Sequence, residues 1–145
     1  MEPVCNIDLK GIAQRKKIVR LQVSLIALAS LLNLANAKFK LDFFADNNHP
    51  GRRYALWFAI EALSVATVIT HSQIAEKTCV MHGVLGTQEE GPDSLKAIKV
   101  QDKKKAEILF WRSVKMLGRG AVIGNVAAAV LCFGPYLLFN NGSLQ

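Results

Sequence analysis

Cysteine, histidine and acidic side chains are scarce in this chain, and each shortage removes a class of function. Three cysteines, Cys5, Cys79 and Cys132, are odd in number and follow no framework spacing, which excludes a disulfide scaffold and leaves free thiols. With three histidines there is no paired metal-histidine motif. His71 and His82 would stand about 16 Å apart on one helix, too far to grip one metal between them, so Cys79-x-x-His82 is a weak metal or haem signal. Nucleophile elbows, phosphate loops and dinucleotide fingerprints are missing as well. The expectation is a chain that is not an enzyme and holds no cofactor. Acidic residues number 11 against 18 lysines and arginines, a net charge of +7. No aromatic-interleaved basic patch or nucleic-acid motif accompanies that surplus, which suits anionic lipid headgroups rather than nucleic acid.

Charge is also missing from long stretches. Apolar residues concentrate in three blocks, 18–37, 54–70 and 120–139, whose charged members are Arg20, at the start of the first, and Glu61. A soluble three-helix bundle needs charged residues at the spacing of a solvated face, and the blocks lack them. At 1.5 Å per residue they are of bilayer-spanning length, the middle one reaching about 26 Å. The prediction is an all-α integral membrane protein, one domain over 1–145, with transmembrane helices at about 18–37, 54–72 and 118–139. A basic extramembrane segment, 86–117, should contain an amphipathic helix leading into the third span.

The cations flank the blocks unequally. Lys10, Arg15, Lys16, Lys17 and Arg20 precede the first, and nine lysines and arginines from Lys77 to Arg119 lie between the second and third; the first link has four and the C-terminal tail none. The positive-inside rule therefore puts the N-terminus on the cytosolic, matrix or stromal side and the C-terminus opposite. GIAQRKKIVR reads as a short interfacial helix. The same basic region, followed by LQVSLIALASLLNL and Ala35-Asn36-Ala37, also fits a secretory signal peptide that would remove 1–37; its long charged region favours an uncleaved span.

Helical spacing divides the middle block into two faces. Glu61, Ser64, Thr67 and His71 share one arc, and Ala55, Ala59, Ala62 and Ala66 form a stripe on the other side where a partner helix could approach closely. Tyr54 and Trp57 suit an interfacial anchor. On the first block Gln22, Ala29, Asn33 and Asn36 fall along one side, placed for interhelical hydrogen bonds. The third carries Gly120, Gly124 and Ala128 at four-residue steps, together with Asn125; its Pro135 removes a hydrogen bond to the Leu131 carbonyl and predicts a kink or helix end near Gly134.

Between the blocks, KFKLDFFADNNHPGRR suggests a compact return with Pro50-Gly51 at the centre of a type II turn. The second helix should project past Thr70 until Gly83 or Gly86 stops it. GTQEEGPDS reads as a loop, and Pro92-Asp93 as the start of the basic helix. On that helix Arg112, Lys115 and Arg119 would reach lipid headgroups while Ile108, Trp111 and Met116 enter the interface. Asn141-Gly142-Ser143 matches a glycosylation acceptor close to the membrane.

Rich in contact surfaces and poor in chemistry, the chain is expected to be a non-catalytic accessory or assembly subunit of a larger membrane complex, partnered by other membrane subunits or by its own copies. The alternative is a homo-oligomeric ion or proton channel lined by the face of Glu61, Ser64, Thr67 and His71, since intramembrane ionisable groups often mark ion routes.

Overall fold

A computed structural model of the chain describes residues 7, 9–39, 51–89 and 97–140. Its elements are α1 (Leu9–Phe39), α2 (Gly51–Glu76), α3 (Val80–Leu85), β1 (Thr87–Glu89), β2 (Ala97–Lys99) and α4 (Lys103–Asn140). The fold is all-α apart from the β1–β2 hairpin, and α1, α2 and α4 are each long and apolar enough to cross a membrane. The return over 40–50 and the tail with Asn141 lie outside the described residues, as does Cys5; Gly51 already belongs to α2.

The long helices form a bundle in which α2 packs along α4 and α1 lies against both. Its centre is the buried cluster of Ile60, Ala128 and Cys132, covered by Ala29 from α1 and by Leu56, Trp57 and Leu131. Around this thin core the surface is apolar. Leu28, Leu31 and Leu32 of α1 and Val122, Val126 and Val130 of α4 are exposed, the inside-out distribution expected where lipid is the solvent.

The two ends of the bundle differ in chemistry. At one end Arg119 Nη1 pairs with Glu76 Oε1 at 2.7 Å, and Arg15 Nε donates to Gln73 Oε1 at 2.8 Å. At the other, Trp57 stands 6.0 Å from the Tyr54 ring, 4.8 Å from Phe133 and 6.2 Å from Tyr136. Trp57 and Glu76 are about 28 Å apart along α2, close to the roughly 30 Å hydrocarbon thickness.

Beyond the ion-pair end, three sequence expectations change. First, the cationic cluster before the first block is not a separate interfacial helix; α1 runs unbroken for 31 residues because no proline interrupts it. Second, α2 stops at Glu76 rather than at Gly83 or Gly86. Lys77 adopts a left-handed φ of 48°, as glycine more often does at a helix end, and the Thr78 N–H closes on the Gln73 carbonyl at 3.1 Å. Gly86, with φ 63°, instead caps the six-residue α3. Third, Pro92-Asp93 lies outside the described residues, and the basic helix that enters the third span begins at Lys103. Residues 97–99 pair with β1 in antiparallel register, Gln88 opposite Ile98, and Val100 N–H bonds the Gly86 carbonyl at 2.9 Å. Asp102 is the N-cap: its Oδ1 accepts from Lys104 N–H at 2.9 Å and Lys105 N–H at 3.4 Å.

α4 then continues for 38 residues without a break into the third apolar block. Its first turns pack on α3: a Cβ on Gly83 would lie 2.8 Å from the Leu109 carbonyl oxygen and collide with Ser113 Oγ. Met116 is fully buried rather than interfacial, while Ile108 and Trp111 are exposed.

Close approach of α2 and α4 depends on two glycines. A Cβ on Gly124 would lie 2.6 Å from Val65 Cα, and one on Gly120 would collide with the Ile69 side chain. The Val65 obstacle is backbone and cannot rotate away, so Gly124→Ala should destabilise the bundle by about 1 to 3 kcal/mol. Gly118→Ala, with nothing within 4 Å, should be neutral or stabilising by up to about 1 kcal/mol. Thermal unfolding of both variants in detergent, with helicity followed by circular dichroism, checks the opposite signs.

Candidate functional site

The interior polar groups form one site and the exterior carboxylate another, and they do different things. Pro135 lies inside α4 and has no N–H, so the Leu131 carbonyl loses its helical donor. Asn33 of α1, 1% exposed, fills the gap: its Nδ2 donates to the carbonyls of Leu131 and Cys132, each at 3.0 Å. One turn on, Asn36 Nδ2 donates to the Tyr136 hydroxyl at 3.1 Å. Because a neighbouring helix re-satisfies the freed backbone, α4 does not end near Gly134 but continues to Asn140. The Asn33 and Asn36 side chains therefore act as the interhelical donors that their shared face suggested. Their Oδ1 atoms, with Ser64 Oγ, are buried polar atoms with no hydrogen-bond partner among the described residues.

The polar arc of α2 does not converge on a common lumen. Ser64 is buried in the bundle, whereas Glu61 and His71 are exposed on its outside. Thr67 Oγ1 donates to the Leu63 carbonyl of its own helix at 2.7 Å, a local bond that occupies its proton. Glu61 and His71 are also about 15 Å apart along the axis. Asn125 is exposed and turned back on α4, donating to the Ala121 carbonyl at 2.6 Å.

Glu61 is the anomalous group. It lies about 6 Å inside the level of Trp57, its electrostatic neighbour is Cys132, and among the described residues it makes no hydrogen bond or ion pair. A charged carboxylate held against lipid costs at most about 2.5 to 3.5 kcal/mol on insertion scales, the value for the centre of a span, and less at the shallower depth of Glu61. The alanine stripe is placed similarly: Ala55, Ala59 and Ala62 are exposed and Ala66 half-buried, so these small residues are largely unused within the chain. Gly120, Gly124 and Ala128 are the reverse, all buried against α2 or the central cluster.

Of the three headgroup candidates, Lys115 and Arg119 are exposed and Arg112 is half-buried, but Arg119 is engaged by Glu76. That pair and the Arg15–Gln73 bond are the contacts that residue type alone did not disclose. Antiparallel pairing of α2 with α4, anchored where Gly124 meets Val65, brings Glu76 within reach of the long Arg119 side chain. Cys79 is buried just before α3, and His82 Nδ1 lies 2.9 Å from Thr87 Oγ1. Comparison with protein-family models, curated proteins and solved structures returns no match.

The repair of the proline gap makes a quantitative expectation. Asn33→Leu should destabilise the bundle by about 1 to 2 kcal/mol, because it strips the Leu131 carbonyl of its donor in an apolar setting. In a Pro135→Ala background the helix supplies its own N–H, so the same change should cost less than half as much. A double-mutant cycle on unfolding in mixed micelles measures the coupling.

Proposed function

We propose that the chain is a non-catalytic accessory or assembly subunit of a larger multi-protein membrane complex, acting through helix–helix packing. The observation that carries this reading is the outward surface of α2, where Ala55, Ala59 and Ala62 and, about 100 to 160° round the helix from them, Glu61 are all exposed. Small residues permit close helix approach, and a polar group in hydrocarbon favours association with whatever satisfies it. The interior polar groups, by contrast, are committed to holding α1 on α4.

Orientation follows from the cations. Lys16, Lys17 and Arg20 of α1 and Lys103, Lys104 and Lys115 of α4 are exposed toward the ion-pair end, which therefore faces the cytosol, matrix or stroma and its anionic headgroups. The C-terminus then emerges on the opposite side. A channel reading finds less support, since Glu61, Ser64, Thr67 and His71 point partly inward and partly outward and would need several copies to enclose a path.

Two measurements test the proposal. Purification from native membranes in mild detergent should yield the chain with at least one different polypeptide, and the purified chain alone in liposomes should conduct no protons. Isolation as a lone monomer, or proton flux abolished by Glu61→Gln, would overturn it. For topology, single cysteines placed at 104 and at 48 in a cysteine-free background should react with impermeant maleimide from opposite sides; reaction from the same side contradicts the three-span orientation.

A further inference from the structure

We infer that Glu61 docks a transmembrane helix of a different chain bearing a lysine or arginine within the bilayer, an inference that rests on the subunit reading above. The carboxyl is exposed on an apolar helix and has no hydrogen-bond or ion-pair partner among the described residues. Its neighbour in the chain, Ile60, is buried with Ala128 and Cys132, while Glu61 itself is exposed on the outward side of α2.

Charge complementarity selects the occupant. Residues 21–37, 54–75 and 120–139 contain no lysine or arginine, so among the described residues none of the three spans, in this chain or in a second copy, presents one at the depth of Glu61. A second copy docking through this face brings a second Glu61 toward the first. Its His71 does not substitute, because in a copy of the same orientation it lies about 15 Å away along the membrane normal. Lipid tails offer no donor at all. A basic side chain on a foreign helix carries the same burial penalty as Glu61 does, and pairing offsets both at once.

The test uses the full-length chain, dye-labelled and reconstituted into phosphatidylcholine vesicles, with designed transmembrane peptides of leucine and alanine in which the residue about 6 Å inside the interface on the Trp57 side is lysine, leucine or aspartate. Energy transfer should report at least tenfold tighter association of the lysine peptide than of the leucine peptide, and none of that preference for the aspartate peptide. Glu61→Gln should bring the lysine peptide within twofold of the leucine one, and Glu61→Lys should transfer the preference to aspartate. Equal binding of the lysine and leucine peptides, or a lysine preference that survives Glu61→Gln, overturns the inference. Glu61-dependent transfer between two labelled copies of the chain assigns the face to self-association and overturns it too. The two levels fail separately: co-purifying polypeptides that remain bound to Glu61→Gln remove this contact and leave the subunit reading intact, whereas absence of any such polypeptide removes the subunit reading itself.

Discussion

A helix in hydrocarbon has no water to satisfy a broken backbone hydrogen bond, and Pro135 breaks one at the Leu131 carbonyl. The rest of the bundle is arranged around the repair. Asn33 must sit at the level of 131 and 132 for its amide to reach both carbonyls, which fixes the depth and rotation of α1. The same rotation brings Asn36 to Tyr136 and lays Ala29 over the central cluster. Without Asn33, α1 would keep only the Asn36–Tyr136 and Arg15–Gln73 bonds to fix its register, because its leucines are exposed and lipid tails solvate them equally well.

Contact between α2 and α4 rests on a different device. Gly120 and Gly124 remove the side chains that would hold the two backbones apart, and Val65 and Ile69 fill the space. From that seam the pair diverges into two ends of opposite character, ion pair at one and aromatic rings at the other. The basic end is extended by α3, the hairpin and the first turns of α4, joined through Gly83 on Ser113 and through Asp102 as the cap of α4. What the bundle leaves over is the outer face of α2, and the proposed role follows from that surplus.

Much of this was legible in residue order. Three blocks almost free of charge dictate three long apolar helices, because length and hydropathy alone set that outcome. Asparagines at helical spacing announced interhelical donors, and Pro135 announced a freed carbonyl, but joining the two needed the register of α1 on α4, which one-dimensional periodicity does not contain. For the same reason the carboxylate of Glu61 was recognisable as costly, while its outward direction was not. Within 86–102, β1 and β2 went unread since three-residue strands carry too little alternation to register, and the start of α4 is set by Asp102 through its bonds to Lys104 and Lys105. Lys77 ended α2 against its own conformational preference, a choice set by the tertiary position of Thr78, which is fully buried.

Whether the outer face of α2 is covered by protein can be read directly in the membrane where the chain resides. A photoreactive amino acid incorporated at position 62, on the exposed alanine stripe, and irradiated in native membranes should yield an adduct with a different polypeptide, identifiable by mass. The same residue in pure phosphatidylcholine vesicles should yield lipid adducts alone. Lipid adducts alone in both settings would contradict a partner on this face and with it the proposed role of the chain.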